Sequence, residues 1–184
     1  MIWKILKKLI SIFKRNLLRL DTVIIYYNRS YVNCTTLARI VKVDQENIND
    51  VLDFQSNRYI AIFQSFLDKG DTGYYAYLDN KCVHRSWVIS NEQAVYPHWA
   101  YPMRLNSNQN YIHFCETAPN ARRMGIYSTV LSQIVQDFKD CGEILISINK
   151  KNHASIKGVK SVGFVEKERV KVLIILGIKF VKIK

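Results

Sequence analysis

The chain of 184 residues is 48% hydrophobic and 23% charged, which is typical of one globular domain and excludes a disordered or low-complexity protein. Its formal net charge of +12 predicts attraction to anionic ligands, anionic membrane surfaces or nucleic acid, and composition alone does not choose among them. The four cysteines are widely spaced, so neither a disulfide framework nor a Cys-x-x-Cys metal site is indicated. Reduced thiols are typical of a cytoplasmic protein, which is the localisation that we predict.

Residues 1–20 are predicted to form a basic amphipathic helix ahead of a single domain over residues 21–184. Apolar residues recur at three- and four-residue steps along one side: Ile2, Ile5, Leu6, Leu9, Ile10, Phe13, Leu17 and Leu20. Lysines interrupt the apolar run long before the ~20 residues that span a bilayer, and no signal-peptide cleavage site follows. The segment either lies on an anionic membrane surface, at the inner face of the membrane, or packs on the domain with its lysines in water.

The next stretch is predicted to contain two strands followed by two short helices. Asp21 to Tyr27 and Leu37 to Val43 are rich in β-branched and aromatic residues, which indicates strands. Between Ile48 and Phe66 the apolar residues recur at helical spacing, and Lys69-Gly70 supplies a helix end.

Residues 73–78 and 82–89 alternate in polarity around Asp79-Asn80-Lys81, which predicts a β-hairpin. The stretch from Tyr96 to Met103 is so rich in proline and aromatic residues that we predict an irregular loop. Such a loop either forms the wall of a substrate pocket or packs rigidly over the core.

A strand, a glycine-containing turn and a helix follow in that order. Tyr111 to Thr117 has the composition of a strand, and apolar residues from Ile126 to Phe138 recur at helical spacing. The first turn of a helix leaves backbone N–H groups unpaired at the positive end of the helix dipole, where a phosphate binds well. Gly125 allows close approach of a ligand to the backbone.

A second buried strand, Glu143 to Asn149, leads into a segment that strengthens this interpretation. The turn contains Pro119, Arg122 and Gly125 in the pattern Pro-x-x-Arg-x-x-Gly, and the later segment contains Asn152, Ser155, Gly163 and Phe164 in the pattern Asn-x-x-Ser…Gly-Phe. These two patterns together resemble the motifs of the GNAT superfamily of acetyl-coenzyme A-dependent N-acetyltransferases. The resemblance implies an α/β fold with a central, mostly antiparallel twisted sheet flanked by helices.

Two residues depart from the family pattern. Tyr127 stands where the family usually has a second glycine or alanine, which makes the start of the helix bulkier. Val159 stands where many members carry a tyrosine that can protonate the departing thiolate, and a valine has no proton to donate.

The resemblance also implies how acetyl-CoA would bind as the co-substrate. Backbone groups of Cys115 and Thr117 would pair with the pantetheine arm, and Asn152 and Ser155 would contact the cofactor from the other side. The pyrophosphate would be held by N–H groups of the turn: Arg122, Arg123, Met124, Gly125, Ile126 and Tyr127. No metal is needed for this chemistry.

Acetyl transfer requires a base, because the attacking amine must be neutral. His113 is our first candidate, since it lies on the strand before the turn, where some family members resemble it in carrying a catalytic histidine. The alternative for His113 is a half-buried structural role. Glu116 is the second candidate base, on the opposite face of the strand unless the strand bulges there.

The acceptor pocket is predicted to draw on the hairpin and the aromatic loop: His84, Trp87, His98, Trp99 and Tyr101. Residues 164–184 should form a closing hairpin around Leu176-Gly177, with its lysines at a solvated edge. The expected acceptor is a small-molecule amine, first of all a nucleotide-linked amino sugar for surface polysaccharide, and we do not expect a nucleic-acid partner. A protein or peptide amine is the enzymatic alternative, and a non-catalytic domain that binds membrane or nucleic acid is the other.

Overall fold

The computed structural model describes Trp3 and residues 18–184. The strands of this part are β1 (Leu18–Asn28), β2 (Arg39–Lys42), β3 (Thr72–Leu78), β4 (Lys81–Ile89), β5 (Ala94–His98), β6 (Tyr101–Arg104), β7 (Gln109–Thr117), β8 (Glu143–Asn149), β9 (Phe164–Ile175) and β10 (Ile178–Ile183). The α-helices are α1 (Arg58–Asp68), α2 (Ile126–Asp137) and α3 (His153–Ser161), and short 3-10 helices cover Ile48–Asp53 and Pro119–Ala121. An eight-stranded sheet runs in the order β10-β9-β1-β8-β7-β4-β3-β2, while β5 and β6 form a separate two-stranded ribbon. The pairings in the eight-stranded sheet are antiparallel except for β7 with β8. The predicted mixed fold with a mostly antiparallel sheet is therefore confirmed.

The strand β1 lies inside the sheet, paired with β8 on one side and with β9 on the other. Its first residues pair with β9, for example Leu18 opposite Ile175 and Leu20 opposite Leu173. The predicted helix over residues 1–20 is therefore wrong for residues 18–20, because their backbone groups are committed to the sheet. Apart from Trp3, the remainder of that prediction lies outside the described residues.

Most other predicted elements are confirmed. The β3–β4 and β9–β10 hairpins turn where predicted, and Leu176 and Gly177 adopt the positive φ values of a tight turn. Of the two predicted short helices, the first is the 3-10 helix Ile48–Asp53 and the second is α1. The prediction of an irregular loop from Tyr96 to Met103 is wrong, since this stretch forms most of the β5–β6 ribbon. Proline is tolerated there because a two-stranded ribbon consists of edge strands, whose outer N–H groups need no partner.

The two faces of the sheet are covered differently. The helices α2 and α3 pack on one face, over a core that includes Ile112, Val130 and Val159. On the opposite face, α1 and the 3-10 helix Ile48–Asp53 cover the β3–β4 end, around Phe63 and Trp87. The β5–β6 ribbon covers the neighbouring part of that same face. A cleft remains between α1 and the ribbon, and it exposes the middle of β7.

Candidate functional site

The site begins where two parallel strands diverge. Pairing between β7 and β8 covers only residues 109–112 of β7 and 143–146 of β8. None of the described strands pairs with the β8 side of β7 from His113 onward, although the other edge of β7 stays paired with β4 as far as Thr117. The backbone groups along this free edge have no strand to bind. The sheet therefore holds an open, V-shaped gap that an extended polar chain can enter by strand-like hydrogen bonding.

A β-bulge in β7 produces the divergence. Arg85 of β4 lies opposite Glu116 and Trp87 lies opposite His113, so one residue of β4 faces two residues of β7. Phe114, at the bulge, has a φ of 52°, which costs free energy for a residue with a bulky side chain. Its ring lies 5.2 Å from that of Phe66 and packs edge to face. Aromatic packing thus helps to hold the strained backbone.

The buried Arg85 side chain stabilises the bulge by hydrogen bonds. Its Nη1 donates to the carbonyl oxygen of Phe114, and its Nη2 donates to Glu116 Oε2 at 2.7 Å. The guanidinium stacks on the rings of Tyr59 and Phe114, at 4.8 and 4.9 Å from their centroids. Arg85 was not predicted as a site residue, because its position in a strand gives no sign of the distant carbonyl that it binds.

The bulge places His113 and Glu116 toward the same face, but the two side chains have different surroundings. The Glu116 carboxylate is engaged by Arg85 in an ion pair. His113 instead borders a cleft of about 460 Å³ between α1 and β5. Residues that line this cleft include Phe66, Asp71, Tyr96, Tyr111, His113 and Ser147.

Asp71 is the second polar group of this cleft, and sequence reasoning missed it. Its Oδ2 lies 3.7 Å from His113 Nε2, just beyond hydrogen-bond distance, and its side chain is 3% exposed against 16% for His113. Neither Asp71 Oδ1 nor His113 Nε2 has a hydrogen-bond partner among the described residues. Buried polar groups without partners are uncommon and costly, which suggests that the pair is kept for a ligand. The one available signal was an aspartate directly after the helix-ending Gly70.

The turn after β7 presents free backbone amides. Gly125 precedes α2 with a φ of 76°, and no side chain caps the helix start. Among the described residues, none accepts a hydrogen bond from the backbone N–H groups between Arg122 and Ser128. The Arg123 and Met124 side chains are exposed, and Arg122 Nε donates back to the carbonyl oxygen of Thr117. The predicted anion site is thus open.

Asn152 and Ser155, which are predicted to contact the cofactor, form the cap at the start of α3. The Asn152 side chain caps the helix by accepting from the Ser155 N–H at 3.2 Å, so these two residues are bound to each other. Val159 is fully buried in the core. Tyr127 packs directly over Gly158, where an added Cβ would lie 2.7 Å from its ring. The bulky Tyr127 at the start of α2 is therefore accommodated by a glycine on α3.

Two of the predicted pocket residues are buried away from the cleft. His84 points to the α2 side of the sheet, where its nitrogens bond Thr117 Oγ1 at 2.7 Å and Ser86 Oγ at 2.8 Å. Burial, helped by the nearby Arg85 charge, lowers the pKa of His84 from its ordinary 6.5 to about 3. Trp87 is fully buried against Phe63 under α1.

The other three predicted pocket residues lie on the β5–β6 ribbon but outside the lining of the cleft. His98 Nε2 lies 3.1 Å from Asp21 Oδ2, which ties the ribbon to β1. Trp99 is half exposed and stacks under Lys179 of β10, and Tyr101 packs on the core. From this stretch, Tyr96 is the residue that reaches the cleft.

The described residues contain no cluster of three or more potential metal-ligating side chains. Among the helices of that same part of the chain, none combines the length and apolarity needed to cross a membrane.

Comparison with solved structures places this geometry among known folds. A GNAT-family acetyltransferase from Colwellia psychrerythraea superimposes with a TM-score of 0.64 at 12% identity, over 90% of this chain and 60% of that one. A glucosamine N-acetyltransferase region of a fungal multi-domain β-N-acetylglucosaminidase gives 0.61 at 11% identity, over 95% and 23%. An aminoglycoside 6′-N-acetyltransferase from Acinetobacter baumannii gives 0.52 at 15% identity, over 70% and 91%.

No protein-family model and no curated protein matches the sequence. The chain spans less than two thirds of the length of the first of these structures and about a quarter of the second. Superposition at such low sequence identity establishes the fold alone, and that fold is the one seen in the GNAT acetyltransferases.

Proposed function

We propose that the protein is an N-acetyltransferase that moves an acetyl group from acetyl-CoA to a primary amine. One observation carries the proposal: a single strand, β7, joins the His113–Asp71 pair to a turn whose amides have no partner in the described part of the chain. The first feature suits removal of a proton, and the second suits a phosphate. Their separation along an unpaired strand edge suits a ligand with a phosphate at one end and a reactive group at the other.

The residues present fit acetyl-CoA. The N–H groups between Arg122 and Ser128 would hold the pyrophosphate, with the helix dipole and the Arg123 side chain adding positive potential. The free edge of β7 from His113 to Thr117 would take the amides of the pantetheine arm. When bound, acetyl-CoA supplies a thioester carbonyl and a thiolate leaving group.

His113 and Asp71 would prepare the acceptor. Asp71 faces His113 Nε2 and favours the tautomer that carries the proton on that atom. His113 Nδ1, for which the described residues provide no hydrogen-bond partner, is then left with a lone pair. This nitrogen accepts the proton that an ammonium group must lose before it can attack a carbonyl carbon. The buried carboxylate also makes the cleft favourable for a cationic acceptor.

The acceptor that we propose is an amino sugar. Two structures with the same fold are a glucosamine and an aminoglycoside N-acetyltransferase, both named for amines carried on sugars. The cleft is lined by Phe66, Tyr96 and Tyr111, whose rings offer flat apolar surfaces to a sugar. A nucleotide-linked form would bring a diphosphate toward a cleft whose lining includes one lysine, Lys69, so free and nucleotide-linked sugars should be compared directly.

Two measurements on the full chain test this function. Acetyl-CoA at about 100 times its dissociation constant should stabilise the fold by about 2.7 kcal/mol, seen as a raised melting temperature. Release of free thiol should then be followed with glucosamine, a uridine-diphosphate-linked amino sugar and a lysine peptide. We expect turnover with one or both sugars and little with the peptide.

The outcomes separate the alternatives. Turnover with the peptide alone would keep the enzyme class and reject the amino-sugar acceptor. Stabilisation by acetyl-CoA without turnover on any amine would favour a non-catalytic CoA-binding domain, for which buried Val159, without a proton to donate, is the supporting observation. Absence of any shift with acetyl-CoA would reject the proposal as a whole.

A further inference from the structure

At the β10–β9–β1 end of the sheet lies an apolar surface that none of the described helices covers. The register across β10, β9 and β1 aligns three side chains in each of two successive rows on one face. The first row is Ile178, Ile175 and Leu18, and the second is Phe180, Leu173 and Leu20. We call these six residues the edge patch.

Five of the six edge-patch residues are exposed and Leu173 is partly buried, while the other face of this part of β9 is buried. Ile178 is 62% exposed, Leu18 is 67% exposed and Phe180 is 52% exposed, although Val170, Val172 and Ile174 on the opposite face are buried in the core. In the described part of the chain, the core under α2 and α3 reaches Tyr26 of β1 and Phe164 of β9 but includes none of the six patch residues. Contiguous exposed apolar side chains of this kind mark an interaction surface.

Positive charge surrounds the edge patch. The next row on the same face places Lys182 beside Lys171, and the edge strand β10 also carries Lys179 and ends next to Lys184. Residues 169–184 contain no acidic residue. Any occupant of this surface must therefore bring apolar material bordered by negative charge.

The chain that precedes the patch has the same character. Residues 1–17 precede Leu18, which is the first residue of β1. They contain no acidic residue, and their cations are Lys4, Lys7, Lys8, Lys14 and Arg15. Their apolar residues repeat at helical spacing, which is the pattern of a helix that lies on a membrane surface.

We propose that the edge patch docks on an anionic phospholipid surface. The patch inserts its apolar side chains among the acyl chains, and Lys171 and Lys182 lie at the level of the phosphate groups. Covering of the patch by the chain's own residues 1–17 would bring two acid-free basic segments together. Pairing with a second copy through β10 would align lysines with lysines, and like charges repel. An anionic membrane satisfies both the apolar rows and the lysines.

Cosedimentation of the full chain with vesicles tests this surface. We expect binding to phosphatidylcholine vesicles that contain about one third phosphatidylserine, weak binding to phosphatidylcholine alone, and loss of binding at high salt. The double variant Ile178→Ser/Phe180→Ser should weaken binding about tenfold or more. Its matched control is Leu37→Ser/Leu52→Ser, which removes two other exposed leucines and should bind like the unmodified chain.

The charge contribution has its own pair of variants. Lys171→Gln/Lys182→Gln should lower the affinity for anionic vesicles several-fold more than Lys81→Gln/Lys139→Gln, which removes two exposed lysines elsewhere. Equal vesicle binding by the Ile178→Ser/Phe180→Ser variant and the unmodified chain overturns the proposal. So does a lowered melting temperature of that variant with unchanged vesicle binding, which indicates that the protein's own chain covers the patch. A concentration-dependent dimer that the serine pair abolishes, without vesicle binding, assigns the patch to a second copy instead.

Discussion

Two histidines on neighbouring strands show how differently one side chain is used in this protein. His84 on β4 points to the α2 face, is fully buried, and has both ring nitrogens hydrogen-bonded. His113 on β7 points to the opposite face, borders the cleft, and has an Nε2 atom without a hydrogen-bond partner among the described residues. Asp71 lies close to that nitrogen but does not complete a hydrogen bond with it.

The two environments distinguish a polar side chain that stabilises the fold from one that is available for chemistry. A buried histidine with two partners stabilises the fold and has no lone pair left for chemistry. A histidine with an incomplete environment costs stability, and such a cost is common at functional sites. We therefore assign His84 to the stability of the sheet and propose that His113 acts in catalysis.

Replacement of His113 by glutamine is the strongest test of this contrast. Loss of a general base typically lowers turnover by about 10²–10⁴-fold, and we expect a decrease of that size in the rate of thiol release. Because His113 has an unsatisfied environment, the melting temperature should stay the same or rise. The matched control is His84→Gln, which should lower the melting temperature. A His113→Gln enzyme with unchanged turnover and pH–rate profile would contradict the assignment.

Arg85 lies in β4, next to His84, and its hydrogen bonds hold the bulge in β7 that exposes His113. Arg85→Met keeps much of the apolar stem but removes the donors to Phe114 and Glu116. We expect unfolding free energy to fall by about 2–3 kcal/mol, because a carbonyl in a strained bulge loses its partner. Urea unfolding measures this change.

A surface ion pair serves as the control for Arg85. Arg169 pairs with Glu166 in an exposed position, so Arg169→Met should lower the free energy of unfolding much less than Arg85→Met does. Similar losses in both variants would show that Arg85 is an ordinary ion-pair residue and does not hold the bulge.

The pH dependence of stability should report on His84. Its pKa is about 3 in the folded protein and near the ordinary 6.5 in the unfolded chain, so the unfolded chain binds more protons between these values. The stabilising contribution of neutral His84 is therefore complete above pH 6.5 and decreases as the pH falls below it. Between about pH 7 and pH 5 the stability advantage over His84→Gln should shrink by about 2 kcal/mol. An advantage that is independent of pH would mean that His84 is not buried as a neutral ring.

The sequence predicted the elements around the site better than the contacts within it. The strand, turn and helix from Tyr111 to Asp137 follow from local composition and spacing, so their prediction was accurate. Asp71 and Arg85 escaped prediction because each matters through a partner far along the chain. The central position of β1 escaped it for the same reason, since strand order is decided by long-range pairing.

The prediction for the aromatic stretch from Tyr96 to Met103 was wrong for a different reason. Its composition predicts an irregular loop that either lines a pocket or packs over the core, but the ribbon that it forms turns His98 toward Asp21 and leaves Tyr96 at the cleft. Composition gives the kind of side chains available and not the direction in which a strand points them.

The comparison of the two histidines also applies to Asn152, which is predicted to contact the cofactor. Its side chain already accepts from the Ser155 N–H, so by the reasoning applied to His84 it is a helix cap. Asn152→Ala should reduce the free energy of unfolding by about 1 kcal/mol, while Asn152→Asp should preserve the cap and the stability. If Asn152 serves only as a cap, acetyl-CoA affinity should be the same in the aspartate variant and the unmodified chain. A large loss of affinity with unchanged stability would show that a satisfied polar group can also contact the ligand, and the contrast between the two histidines would then need a second criterion.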